Sequence, residues 1–356
     1  MTIQIEQEQV ISILIQLLEI HTPPGEERRL EHTWNRICRS LQYPRYWRDE
    51  NSSYFASYGD GGRTIMLASH VDTVPGELPV KVVENRVFGR GAVDAKSSVA
   101  CMLIGAALAR ERVRDVRVVV AGLADEEGRG RGAKRLVERG FKADYIIIGE
   151  PTGLTGIATS YRGSLTLKVE AKARGGHSSA PYMAESALER ILTLWSYVKE
   201  EFGGSRYEEV TSALTTLHSG DWPSKMPDKA EATINIRFPN PYTSSQILES
   251  LRKRAEETGC VVKVIDATEP VETSISTRTA RALSRSMLRI GLKPRIVKKT
   301  GTSDMNTLYN ITRDIVACGP GNSLLAHTDE ENITVEELMD AVKVYAGAVE
   351  ELARTQ

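Results

Sequence analysis

Apolar positions recur with helical period from Gln7, as in VISILIQLLEIH, and the run stops at Thr22-Pro23-Pro24-Gly25. The spacing predicts an amphipathic helix over residues 7–21, ended by that breaker. Beyond it the pattern changes. Short runs rich in branched residues, at 64–69, 116–123, 145–148 and 314–318, are apolar throughout and end in polar or Gly-containing turns. Helix-length segments such as 97–112 separate them. Several therefore read as strands buried on both faces of a parallel sheet.

The middle of the chain has a different texture. From about Ser164 apolar and polar residues alternate, as in SLTLKVEAKA and later EATINIRF, which predicts half-buried strands of an antiparallel sheet. Helical stretches are expected at 185–201 and 244–258. The expected organisation is an α/β catalytic domain split into residues 1–156 and 271–356, with a smaller α+β domain of residues 157–270 inserted.

Composition narrows the function classes. With 46 Lys plus Arg against 47 Asp plus Glu, the formal net charge of -1 argues against wholesale binding to nucleic acid or anionic membrane. No apolar run approaches the ~20 residues needed to span a bilayer. The N-terminus is acidic and polar where a secretory signal is basic and then apolar, so a cytoplasmic protein is expected. Cys38, Cys101, Cys260 and Cys318 lie far apart, which suits reduced thiols.

Chemistry-bearing residues fall at strand ends, where open parallel sheets build their sites. Ser69-His70-Val71-Asp72 follows the first run, and residues two apart on an extended segment face the same way. Asp72 is thus placed to orient the His70 imidazole, although HxD alone more often marks a packed or surface histidine. In Gly89-Arg90-Gly91-Ala92-Val93-Asp94, Asp94 is either a ligand or the N-cap of the next helix. The two glycines lack the third glycine and the preceding strand of a dinucleotide fingerprint. Asp125-Glu126-Glu127 follows VRVVVAGL; it is a solvated acidic turn unless a cation or helix terminus compensates the repulsion. Glu150 follows DYIII, and His327 lies a few residues past DIVACGPG. Two histidines with at least three acids at strand ends make the donor set of a hard, two-metal site with imidazole and oxygen ligands.

SHVDT, GRGAVDAKSS, ADEEG, GEP, GGHSSAP and AHTDE, in this order, resemble the co-catalytic zinc hydrolases that include acetylornithine deacetylase, succinyl-diaminopimelate desuccinylase, aminoacylase and glutamate carboxypeptidase. The resemblance covers nearly the whole chain. GRGAVDAK, LADEE, YRGS, GTSDMN and PGNS are most similar to the hydrolases that release lysine or ornithine from an amino-group carrier protein. It implies two zinc ions per subunit, with cobalt able to substitute: Asp94 bridging, His70 and Glu150 completing one site, Glu127 and His327 the other. Glu126 would be the general base and Asp72 the orienter of His70. The inserted domain would be a lid and homodimer surface, with His177 reaching the neighbouring subunit's site to stabilise the tetrahedral oxyanion. Without the family, His177 reads as a surface-loop histidine.

Arg237, with Asn235 on the same strand face, is placed to bind a substrate α-carboxylate, an exposed strand arginine being the bland alternative. Gly301, Thr302 and Ser303 are expected to line the amino-acid pocket or to form a plain turn. One departure is visible: after HSSAP many family members continue Gly-x-Asn, whereas this chain has Met183-Ala184-Glu185-Ser186.

The implied activity is hydrolysis of the amide joining lysine, and also ornithine, to the C-terminal glutamate of a small acidic carrier protein in lysine and arginine biosynthesis. A small-molecule deacylase of the acetylornithine or succinyl-diaminopimelate type is the alternative, and a non-catalytic binding homologue a third. Arg129, Arg131, Lys134 and Arg135 form a basic cluster that would steer an acidic carrier, or else a solvated helix face.

Overall fold

The computed structural model describes residues 6–354. The chain forms two compact units. One comprises the chain through Ser160, Thr273–Lys298 and the residues from Ser303 on; the other comprises Tyr161–Glu272 with Lys299–Thr302.

In the first unit the strands lie in the order Arg45–Arg48, Tyr54–Tyr58, Val116–Leu123, Arg63–His70, Tyr145–Ile148, Ile315–Ala317, Gly156–Tyr161. The four from Val116–Leu123 to Ile315–Ala317 are mutually parallel, and the flanking pairings are antiparallel. Register fixes where the chemistry emerges. His70 lies opposite Leu123, Ala68 opposite Ile148, and Ala317 opposite Ile148. The carboxyl ends of all four strands therefore align, and the segments that follow leave the sheet on one edge.

The parallel strands are almost wholly buried, which explains their continuous apolar text. The helix Lys96–Ala109 is buried nearly all round, so it shows no amphipathic stripe. It packs against the long Val335–Arg354 helix, and Gly105 permits the approach: a Cβ there would meet the Val342 carbonyl oxygen at 2.8 Å. The first helix ends at Leu18, short of the expected residue 21. Its buried face, Val10, Ile13, Leu14, Leu17 and Leu18, has the predicted spacing. All four cysteines are buried and free, and burial pushes the Cys318 thiol up to about 12. Among the described residues no helix is long and apolar enough to cross a membrane.

A short strand does precede the GxG segment, contrary to the expectation. Arg86–Phe88 pairs antiparallel with Lys81–Val83 and with Asn332–Thr334, forming a small three-stranded sheet apart from the parallel one. Three-residue strands are too short to display a period.

The second unit is a four-stranded antiparallel sheet, ordered Thr211–Ser219, Lys229–Phe238, Gly163–Lys172, Cys260–Thr268. Leu165, Leu167 and Val169 face a core shared with Ile234 and Ile236 and with the helices Ala187–Phe202 and Ser244–Thr258. The alternation in the sequence is this face.

Candidate metal centre

His70, the last residue of its strand, is 1% exposed. Its Nε2 lies 3.1 Å from Asp94 Oδ1. Its Nδ1 is 2.9 Å from the backbone carbonyl of Asp72 and 3.8 Å from the Asp72 carboxylate. The main chain orients the imidazole, while the buried carboxylate accepts the N–H groups of Glu126 at 3.1 Å and Glu127 at 2.9 Å. Asp72 thereby fixes the backbone that presents two acids.

Asp94 does not cap the following helix: the N-cap position is Ala95, with no side-chain cap. Its carboxylate spans two imidazoles instead, with Oδ2 3.3 Å from His327 Nε2. His327 Nε2 also lies 2.7 Å from Glu127 Oε1. Potential ligand atoms of Asp94, Glu127 and His327 lie within 4.8 Å of one another, as do those of His70, Glu126 and Glu127. Glu150, buried at the end of the Tyr145–Ile148 strand, stands outside both groups and acts on Glu126 through its charge.

The acidic turn separates its three carboxylates. Asp125 is buried and bonded to Arg131 at 2.7 Å, whereas Glu126 and Glu127 join the cluster. Asp125 and His327 have φ of 66° and 63°, a region non-glycine residues adopt uncommonly.

Burial pushes Glu126 well above the usual carboxylate range, and the charge of Glu150 adds to it. Glu127 is raised chiefly by burial as well. Against the burial that opposes it, the Asp94 hydrogen bond and the surrounding acids hold the His70 imidazolium well above its ordinary value. The hydrogen bond to Asp94 is the main cause lifting His327 to about 9. Crowded acids that resist ionisation are stabilised by cations, and imidazole with carboxylate oxygen is the donor chemistry of zinc and similar divalent ions. The residues fit such a group.

In the second unit Arg237 is half-buried. Its Nε donates to Asn235 Oδ1 at 3.0 Å, and Asn235 is anchored to the Ser164 and Thr166 hydroxyls at 3.1 and 2.9 Å. Arg237 Nη1 is buried with no hydrogen-bond partner. The pair shares one strand face, as the i, i+2 spacing requires. His177 sits on a two-residue strand paired with Lys225–Met226, exposed, with Nδ1 accepting the Ser179 N–H at 3.1 Å.

Where the sequence departs from Gly-x-Asn, Pro181–Met183 forms a single 3-10 turn with Tyr182 and Met183 exposed, and Ser186 caps the next helix. Gly301 is exposed, with open space where a Cβ would stand. Thr302 is half-buried. The Ser303 hydroxyl accepts the Met305 N–H at 3.2 Å and so caps the short helix Asp304–Leu308.

The basic cluster is largely paired: Arg131 with Asp125, Arg135 with Glu50 and Glu138, Arg139 with Glu50. Lys134 donates to the Arg129 carbonyl. With Arg139 counted beside the four cluster residues, five cations face three acids, a surplus of two where the four-residue cluster alone suggests four.

Residues 66–351 match peptidase family M20/M25/M40. The chain belongs to that family. It is 34% identical over 350 residues to a protein of Sulfurisphaera tokodaii named LysW-lysine/LysW-ornithine hydrolase, covering 98% of this chain and 97% of that one. A protein of the same name from Saccharolobus islandicus is 36% identical over 341 residues, covering 96% and 95%. Among solved structures, this M20 hydrolase resembles a tripeptidase from Staphylococcus aureus (TM-score 0.85, 18% identity, covering 99% of this chain and 100% of that one). It also resembles an M20 metallo-carboxypeptidase from Sulfolobus solfataricus (TM-score 0.80, 16% identity, covering 99% and 100%).

One group went unnoticed in the sequence. Glu331, four residues past His327, is buried and tied to the Asp94 loop. No spacing announces it, because its partners are mostly backbone.

Proposed function

We propose that this protein is a metal-dependent amide hydrolase that releases lysine, and also ornithine, from the C-terminal glutamate of a small acidic amino-group carrier protein. The observation that carries the reading is the near-complete, end-to-end similarity to the LysW-lysine/LysW-ornithine hydrolases, joined to a clustered set of ligand-type residues in the same chain.

His70, Asp94, Glu127, Glu150 and His327 would hold two zinc ions, with cobalt able to substitute. Bound there, the ions would polarise the scissile carbonyl and acidify the attacking water. Glu126 is the proposed general base: its raised affinity for a proton, set by burial and Glu150, suits a group that takes a proton and delivers it to the leaving amine. Asp72 positions Glu126 and Glu127 through their N–H groups. Arg237, steadied by Asn235, would bind the substrate α-carboxylate with its free Nη1. Gly301, Thr302 and Ser303 would border the amino-acid pocket, Thr302 through its hydroxyl and the others through backbone.

The protein is proposed to act in the cytoplasm as a homodimer, with His177 serving the neighbouring copy by stabilising the tetrahedral oxyanion. The residual positive surplus around Arg129 and Lys134 would favour an acidic carrier. Comparing kcat/KM for carrier-linked lysine, carrier-linked ornithine, acetylornithine and succinyl-diaminopimelate tests the assignment. Preference for the carrier conjugates is expected; preference for a free acylated amino acid would establish the small-molecule deacylase instead.

A further inference from the structure

The loop from Gly89 to Asp94 has little regular structure, yet its residues are mostly buried. Backbone donors buried in a loop must find acceptors. One side chain supplies them. Glu331 Oε1 accepts the N–H groups of Gly91 at 3.0 Å, Val93 at 2.9 Å and Asp94 at 3.0 Å. The Glu331 carbonyl also accepts the Gly89 N–H at 3.3 Å.

The other carboxylate oxygen, Oε2, accepts Arg90 Nη1 at 2.9 Å. Arg90, 7% exposed against 1% for Glu331, donates further to the carbonyls of Thr328 at 2.9 Å and Gly76 at 3.0 Å. Gly91, at φ 92°, lets the loop curl around the carboxylate: a Cβ there would meet Lys96 and Thr73 side-chain carbons at 3.0 Å.

Two otherwise separate segments are joined by this arrangement. Asp94 ends one, and its carboxylate faces both His70 and His327. Glu331 and Thr328 belong to the segment that carries His327. The bond from Asp94 N–H to Glu331 and that from Arg90 to the Thr328 carbonyl tie the backbones on either side of the Asp94–His327 contact. An apolar side chain at 331 would leave three buried N–H groups without their acceptor and the buried Arg90 guanidinium without its counter-charge, each costly in a low-dielectric setting.

We propose that Glu331, with Arg90, is a positioning pair that sets the Asp94 carboxylate and the His327 imidazole in register to receive metal. It touches neither the metal ligands' side chains nor substrate and acts through the backbone. The inference rests on the reading of Asp94 and His327 as ligands. Outer partners of metal ligands commonly govern affinity by about 10- to 100-fold.

The test is cobalt binding by the chelated, full-length protein, read by competition with a chromophoric chelator and by the visible spectrum of the bound ion. Glu331→Ala should weaken binding by about 10- to 100-fold and alter the spectrum. Glu331→Gln, which keeps an acceptor oxygen but loses the charge facing Arg90, should fall between Ala and wild type. Arg90→Met combined with Glu331→Gln should recover part of the loss by removing the orphaned cation. Circular dichroism and thermal melts of each chelated variant identify any that fail to fold, in which case Glu331→Gln and the double variant decide. Wild-type affinity and spectrum in folded Glu331→Ala or Glu331→Gln overturn the proposal. Absence of cobalt binding by the wild type would overturn the reading of the ligand cluster itself.

Discussion

His70 and His177 belong to two differently built regions. His70 is 1% exposed at the end of a central parallel strand, with one ring nitrogen on a backbone carbonyl and the other on Asp94. His177 is exposed on a two-residue ribbon strand, where its imidazole Nδ1 accepts the Ser179 N–H. The surroundings follow suit. At the strand ends, Asp72 and Glu331 spend their carboxylates on backbone N–H groups that fix the loops, whereas Arg237 keeps one buried nitrogen without a partner. The two regions divide the labour. Groups that would bind ions are held in advance by the fold, and groups that would bind substrate are left with bonding capacity to spend on it.

Substitutions should separate the two regions. The largest effect is expected from Glu126→Gln, which should lower kcat by about 10²- to 10⁴-fold while metal analysis finds the full complement still bound. Next, His177→Ala should reduce kcat by about 10²- to 10³-fold with no loss of metal affinity; parallel loss of metal would place His177 with the strand-end group and collapse the comparison. Arg237→Ala should raise KM and lower kcat/KM by about 10- to 100-fold, the scale of charge-assisted hydrogen bonds. Arg237→Lys should recover little of it, since an ammonium lacks the fork.

The smallest effect is one of pH on the chelated protein. His70 and His327, ordinarily at 6.5, are both raised, so their contribution to stability is complete below 6.5 and declines as pH rises, that of His327 being lost through about 9. Glu126 and Glu127 are also raised, and favour the fold less as they ionise. Asp94 is held below its ordinary 3.8 by His327 and His70 despite its burial, so its opposing effect is confined to strong acid. Melting temperature should therefore fall from about pH 6 to about pH 9 after chelation, and zinc should flatten the slope because its ligands bind deprotonated. A chelated protein that becomes more stable over that range would contradict the charge arrangement.

Much of this was legible from text. The continuous apolar runs gave the parallel strands, and the rule that sites form at their carboxyl ends pointed to His70, Glu126, Glu127, Glu150 and His327, of which Glu150 stands outside the two ligand groups; Asp94, which follows a strand of the separate small sheet, was reached through its Gly-rich motif. The alternation from Ser164 marked the antiparallel sheet of the inserted unit. What escaped the sequence shares a physical cause. The Arg86–Phe88 strand is three residues long and has no period to read. Asp72 could be placed beside His70 by spacing, but not turned toward the N–H groups of Glu126 and Glu127, because backbone donors carry no sequence signature. Glu331 is 240 residues from Gly91, its partner in a hydrogen bond. The basic cluster near Arg129 looked stronger than it is because Glu50, which pairs with Arg135 and Arg139, lies 85 and 89 residues away.

The most direct test of the central claim is zinc titration of the chelated protein with hydrolysis of carrier-linked lysine followed alongside bound metal. Activity should be absent after chelation, rise with added zinc and saturate at two ions per chain. Full turnover with no divalent ion bound, or zinc binding that leaves the carrier conjugate intact, would contradict it.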